Sequence, residues 1–451
     1  MRPLPTAATR RREREIFQLA HFIAFNPGSS SSEIQMGAEA ISPSCRTSHY
    51  IYLKEALQDG WIERVGNTRG TRYHPTPQFL HHVSLNTLSD PLSKRKKVGY
   101  NEEFLAGYEP NETFYLNRQQ RATLHNACGV GTFDASDARV AQEVRRFMAD
   151  ISHNSAAFEG VEVKYADTIS FLEQNIESRH MSAVDAAILR NHYNAIRFII
   201  ENTHHPLHPA DVQVSEYDAR NIHSYLSDGL LKDKRKQGRL RHEHVEIRDS
   251  SYIPTDQPDI ISREFSLLIS KARQIKDPYE QAVFLLIHIP YLQPFDDCNK
   301  RTSRLLCNIP LLGSGILPVS WAEVNHRDYT DSLLCIYEKN STYGLCDVFV
   351  EACARSFERF EISMKNREPS RMEISHSKQI QEAVRNRILH NDRSLPRDVD
   401  ALNIAEFELI VEDTLAAIRE NDMVAAPYRL RPDVVQAWLE HEKLAANDAP
   451  H

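Results

Sequence analysis

Several things are missing from this chain, and each absence narrows the reading. No run of about 18 apolar residues occurs, so no membrane-spanning helix is expected. The N-terminal MRPLPTAATRRRERE carries Arg with no apolar stretch behind it and does not read as a secretory signal. No CxxC pair occurs among the seven cysteines, Cys45, Cys128, Cys298, Cys307, Cys335, Cys346 and Cys353. An odd, scattered set suits neither a disulfide framework nor a structural zinc site, and a reducing cytoplasm is the expected location. No internal repeat is evident. No one-sided charge dominates either: the net charge is −8 over 451 residues. What remains, 26% charged and 41% hydrophobic residues, is the composition of an ordinary globular protein long enough for about three domains.

Charge is unevenly spread. Residues 1–74 hold ten Arg and Lys against seven Asp and Glu, so a mildly basic head precedes an acidic body. Such a head can meet nucleic acid, or it can be a solvated charge run. REREIFQLAHFIAF, residues 12–25, sets Ile16, Leu19, Phe22 and Ile23 at helical spacing until Asn26-Pro27-Gly28 breaks it. A second helical segment begins at Ser32 and Glu33. A third starts at Ser42-Pro43, with Ser42 as N-cap, and carries Ile51, Leu53 and Leu57 as core candidates. WIERVGNTRGTRYHPT then reads as strand, glycine-flanked turn and return strand.

Three helices followed by a β-hairpin resemble a winged helix over roughly residues 10–76. The resemblance implies a third helix that enters the DNA major groove and a hairpin that touches backbone. Arg46, Thr47 and Ser48, with His49 beside them, would be exposed on that helix. Asn67, Arg69 and Arg72 would be presented by the wing. A winged helix that reads a palindrome would do so as a homodimer. The same module can also serve protein contacts alone.

Residues 77–135 read as a connector with short elements. They include the basic KRKK run at Lys94–Lys97. From Ser136, Val140, Val144, Phe147 and Ile151 mark one face of a strong helix. Helical periodicity dominates from there to about residue 365, and residues 366–451 add helices such as 404–419 and 432–444. The fold class is therefore mainly α.

The densest chemistry lies at Gln293 to Arg304, QPFDDCNKRTSR. Asp277-Pro278-Tyr279-Glu280 starts a helix, and AVFLLIHIPYL makes it buried. RTSRLLCNIPLL then resumes helical spacing. The polar loop thus lies between a buried helix and the start of another. Free N–H groups at a helix start attract phosphate, flanking Arg strengthens that, and a carboxylate can hold Mg²⁺. A nucleotide site and a capping loop of salt bridges both fit these residue types.

QPFDDCNKRTSR resembles the signature of the Fic family, HxFx[DE]GN[GK]RxxR. Phe295, Asp297, Asn299, Lys300, Arg301 and Arg304 match at the right spacing. Gln293 stands where the family has His, and Cys298 where it usually has Gly. GRLRHEHVEIRDSSYIPT, Gly238 to Thr255, resembles the family's target-clamping flap. SAAFEG, Ser155 to Gly160, resembles the inhibitory motif [ST]xxxE[GN]. The resemblance spans about residues 136–365. It implies a helical Fic core with a small β-hairpin flap, preceded by the winged helix and followed by the C-terminal helices.

It also implies AMP transfer from ATP, with Mg²⁺, to a hydroxyl of a target protein. Asp297 would hold the metal, and Asn299, Lys300 and Arg301 the phosphates. Arg304 would reach the terminal phosphate or pair with Glu159. Val245, Glu246 and Ile247 would take an extended target segment by strand addition. Autoinhibition would run through Ser155, Glu159 and Gly160, the first two of which share a helix face.

The family His is the general base. A glutamine amide orients a hydroxyl but does not take its proton, and losing such assistance costs about 10²–10⁴-fold. His288 lies five residues before Gln293, an offset of about 140° on a helix, and faces elsewhere. His242, His244 and Asp296 are the other candidates. Three functions therefore stand together: an impaired, autoinhibited adenylyltransferase, a nucleotide-sensing regulator bound to DNA, and a phosphotransferase like the Doc branch, whose D-A-N-K-R-T run is close to Asp297–Thr302.

Overall fold

The apolar run behind Asp277 forms a buried helix that supplies much of one hydrophobic core. The Asp277 side chain accepts from the amides of Tyr279 and Glu280, Pro278 opens the first turn, and every residue from Tyr279 to Leu292 is buried. The computed structural model describes residues 7–41, 46–127, 138–179, 181–203, 213–365, 371–394 and 404–447.

The head contains α1 (Ala7–Phe25), α2 (Ser31–Ile41), α3 (Arg46–Gln58), β1 (Ile62–Val65) and β2 (Arg72–Pro75). β1 and β2 pair antiparallel, with Ile62 opposite Pro75 and Val65 opposite Arg72. Ile16, Leu19, Ile23, Leu53, Ile62 and Tyr73 share one core with Phe79. Ile51, expected in that core, is exposed because it lies on the outer face of α3. The expected cap at Ser42 and Pro43 lies outside the described residues.

Next come α4 (Pro77–Leu88), β3 (Val98–Gly99), α5 (Glu102–Ala106), α6 (Arg118–Ala127), α7 (Ala138–Ala157), α8 (Tyr165–Gln174), α9 (Ala183–Thr203) and α10 (Glu216–Ser227). β4 (Tyr252–Ile253), α11 (Pro258–Gln274), α12 (Pro278–Leu292), α13 (Asn299–Leu306), α14 (Asn308–Gly313), α15 (His326–Lys339) and α16 (Tyr343–Lys365) follow in order. Two compact units emerge. One comprises residues 1–132 and 148–357, the other 133–147 and 358–451.

The stretch after α4 is bound into the first unit by a buried carboxylate. Glu280 of α12 accepts from the Tyr108 hydroxyl at 3.0 Å and from the amides of Tyr115 at 2.6 Å and Leu116 at 3.0 Å. Leu116 and Leu124 join the core that contains α12. The flap stretch before β4 forms no ladder of its own. Instead β4 pairs in parallel with β3, Tyr252 opposite Val98.

The second unit adds α17 (Arg371–Ser375), α18 (Ser377–His390), α19 (Ile404–Glu420) and α20 (Pro432–Asn447). Val384, Phe407, Val411 and Ile418 form its core. Arg387, nearly buried, pairs with Glu412 and, at 3.7 Å, with Glu408.

Candidate functional site

Helix α12 ends at Gln293, which turns left-handed at φ 51°, ψ 59°. Both ends of its amide are engaged. Nε2 donates to the Pro290 carbonyl at 2.7 Å, and Oε1 accepts from Asn299 Nδ2 at 2.8 Å. Asn299 also spans the turn, accepting from the Phe295 amide at 3.0 Å and donating to its carbonyl at 2.9 Å. Its side chain therefore braces the loop. Phe295 is fully buried and stacks on His223, centroids 4.0 Å apart.

Cys298 explains why a glycine suits its position. It sits at φ 59°, ψ 11°, immediately before α13. For a residue with a Cβ that conformation costs about 1–2 kcal/mol. Burial pushes its thiol up to about 12. Behind it α13 begins, with its first amides available to an anion. Lys300 and Asp297 are both exposed. Asp297 Oδ1 accepts from the Cys298 amide at 2.6 Å, and Oδ2 lies 3.2 Å from Arg301 Nη2. Among the described residues no cluster of three or more His, Cys, Asp or Glu side chains could hold a metal. A cation at Asp297 would thus take its remaining ligands from nucleotide phosphates and water, a set that suits Mg²⁺.

Arg304, fully buried, faces α7. Its Nε donates to Ser155 Oγ at 3.0 Å, Nη1 to the Tyr329 hydroxyl at 3.2 Å, and Nη2 to the Ser155 carbonyl at 3.1 Å and Glu159 Oε1 at 2.7 Å. Phe158 and Tyr329 flank the guanidinium. The other Glu159 oxygen lies 3.6 Å from Arg301 Nε. Burial alone would raise the Glu159 carboxyl. Arg304, Arg301 and Lys300 override it and bring it down to about 2. Gly160 follows at φ 87°, a conformation natural to glycine.

The histidines near the turn are held neutral by burial. His288 is down to about 3 and bonds the Tyr115 hydroxyl at 2.7 Å, within the core. His223, down to about 4, accepts from the Gly238 amide and meets the Asp297 carbonyl at 3.2 Å. Asp296 takes Lys236 Nζ at 3.0 Å. His242 and His244 are exposed on the flap. Val245 and Ile247 are half-buried there, and Glu246 is exposed.

In the head, Arg46 and Thr47 open α3 and Arg69 lies in the turn between the strands, but their side chains are outside the described ones. Ser48 is half-buried. His49 is buried, not exposed as expected, because it lies on the inner face of α3. Arg72 is exposed and donates to the Thr71 carbonyl at 3.0 Å. Sequence reasoning missed His223, Tyr329 and Arg241. His223 and Tyr329 share no short motif with the groups they touch, and Arg241 shares one with Glu243 and Thr255 but not with Gln293; only the tertiary fold brings them to the loop.

This arrangement sets a helix start and an exposed lysine and carboxylate beside a sequestered arginine, groups whose chemistry can hold an anion. Comparison with known proteins then places it. Residues 213–311 match the family model described as Fic/DOC family. Over 125 residues, 27% of this chain, it is 30% identical to a protein of Nematostella vectensis described as protein adenylyltransferase Fic. That match spans 28% of the relative's length. Solved structures with likeness include a Fic domain containing signaling protein from Bacteroides thetaiotaomicron, at 17% identity and TM-score 0.44, covering 56% of this chain and 99% of that one. A Fic family protein from Desulfovibrio desulfuricans gives 17% identity and TM-score 0.47, with 61% and 82% covered. Likeness this loose carries no argument of its own. No helix among the described residues is long and apolar enough to cross a membrane.

Proposed function

We propose that this chain is a Fic-type protein adenylyltransferase, arrested by Glu159 and short of a proton acceptor at residue 293. The observation that carries the reading is the Glu159–Arg304 contact, 2.7 Å long and closed on its other sides by Ser155 and Tyr329. A carboxylate on that guanidinium occupies the position a terminal phosphate would need. Removing Glu159 frees Arg304 for ATP.

The N-terminus of α13, Lys300 and Arg301 would hold the phosphates, and Asp297 would hold Mg²⁺. Bound there, the ion would neutralise phosphate charge and polarise the α-phosphate. Asn299 serves by fixing the turn that aims these groups. Gln293, tied at both amide ends, orients but does not accept a proton. The amides of the flap around Val245, Glu246 and Ile247 would pair with an extended target segment.

Titration calorimetry with Mg-ATP tests the nucleotide half of this reading. Glu159→Gly should tighten binding at least tenfold, and Asp297→Ala should remove its metal dependence. Equal affinities in wild type and Glu159→Gly would overturn the inhibitory role.

A second reading has its own observation: the antiparallel hairpin that follows three helices, with Arg72 exposed on the second strand. In that reading a homodimer binds DNA through Arg46, Thr47, Ser48, Arg69 and Arg72, and the nucleotide site regulates it. Binding to the chain's own promoter region should then weaken steeply with salt, since phosphate contacts release counterions. A salt-independent or absent shift would remove it. The Doc-like phosphotransfer alternative is separated from AMP transfer by which phosphate of ATP is passed on.

A further inference from the structure

One buried side chain joins the flap to the motif turn. Arg241 is 1% exposed. Its Nε donates to the Gln293 carbonyl at 2.5 Å, Nη1 to the Glu243 carbonyl at 2.8 Å and Nη2 to the Thr255 carbonyl at 2.5 Å. Its own amide donates to the Pro294 carbonyl at 3.0 Å. The guanidinium thus touches the first leg of the flap, the second leg, and the residue at the family's proton-acceptor position. None of the ion pairs among the described residues involves Arg241, so a buried cation is held there by carbonyls, with Asp296 and Asp256 as more distant compensation.

The second leg has a separate pin. Arg95, from the basic run after α4, donates to Glu338 Oε1 and to the Asp249 carbonyl, both at 2.7 Å. The same Glu338 oxygen accepts from Ser250 Oγ and the Ser251 amide, each at 2.9 Å. Between the pins, none of the described hydrogen bonds starts from the amides of residues 242–248. The main-chain amides of residues 242–248 are therefore an open edge, while the side chains of Glu243, paired with Lys236 at 2.7 Å, and Ile247, packed on the core, help hold the segment in place.

We propose that Arg241 is a positioning residue: it sets the register of that open edge against residue 293, and so the place where a bound target segment presents its hydroxyl. This rests on the reading of residues 242–248 as a target-clamping flap. Three carbonyls from three chain segments converge on one planar fork, a geometry that the single nitrogen of lysine does not reproduce. Had the residue served the flap alone, the contact to the Gln293 carbonyl would be superfluous.

Hydrogen exchange of the full chain, read by mass spectrometry, tests this with Arg241→Lys and Arg95→Lys. Arg241→Lys should speed exchange about tenfold or more at the amides of residues 241, 293 and 295, the effect of losing charge-assisted hydrogen bonds, and leave residues 380–388 unchanged. Arg95→Lys should speed residues 98 and 251 and leave 293 and 295 alone. In the Glu159→Gly, Gln293→His background, Arg241→Lys should keep Mg-ATP affinity within about twofold while labelling of lysate proteins from α-labelled ATP falls about tenfold. The proposal is overturned if residues 293 and 295 keep their protection, if exchange rises uniformly across the chain, or if ATP affinity and labelling fall together. Absence of labelling in the background itself would instead sink the transfer reading, and the exchange data alone would then decide the tie between Arg241 and the turn.

Discussion

Replacing Glu159 by Gln should cost the first unit about 3 kcal/mol at pH 7. The carboxyl is brought from an ordinary 4.5 down to about 2, and its side chain is only 15% exposed, so little of this is screened by solvent. At about 1.4 kcal/mol for each tenfold change in proton affinity, the ionised form contributes about 3 kcal/mol to folding. The sign follows from the depression. The contribution is fully present above pH 4.5 and is lost as pH falls through the folded value near 2. Roughly two-fifths should remain at pH 3 and almost none below pH 2. Gln keeps the shape, but Arg304 is left fully buried with neutral partners only, Ser155 and Tyr329.

Trp321 reports on this locally, since its indole Nε1 lies 3.4 Å from the Arg304 carbonyl. With Trp61 and Trp438 replaced by Phe, urea unfolding of wild type and Glu159→Gln should be followed by Trp321 fluorescence from pH 7 to pH 2. A gap below about 0.5 kcal/mol at pH 7, or one that does not shrink on acidification, would refute the account of this cluster.

Other expectations follow from the same contacts. Cys298 and Cys335, both up to about 12 through burial, should resist a thiol reagent at pH 8 in the native state and react only in denaturant, as mass spectrometry would show. Cys298→Gly should leave stability unchanged or raise it by up to about 1 kcal/mol, since φ 59° suits glycine; a loss above about 2 kcal/mol in thermal unfolding would mean the thiol's packing outweighs backbone strain. Glu280→Gln should cost about 2–4 kcal/mol and open residues 102–127 to proteolysis, because an amide sets an NH₂ group against the donors that Glu280 accepts from.

Local signals made much of this legible in the sequence. Asp277-Pro278 and the apolar run define α12 residue by residue, and helices near 404–419 and 432–444 recur as α19 and α20. The positive φ at Cys298 is what a position usually filled by glycine leads one to expect. The connector was opaque for a physical reason. Tyr108, Tyr115 and Leu116 become core through Glu280, more than 160 positions away, and no periodicity encodes such a partner. The flap had a recognisable sequence, yet its strand pairs with residues 98–99 rather than with itself. Arg241 lies inside the Gly238–Thr255 segment and carries no local sign that its three partners are main-chain carbonyls.

The most direct test of the central claim is parallel incubation with ATP labelled at the α- or γ-phosphate, with and without cell lysate. Wild type, Glu159→Gly, Gln293→His and the double variant should be compared. The account predicts that α-label enters protein strongly only in the double variant, where Arg304 is freed and a base restored, and that Glu159→Gly alone is weaker by about 10²-fold or more. Protein labelling from γ-phosphate alone, or no labelling in any variant, would contradict it.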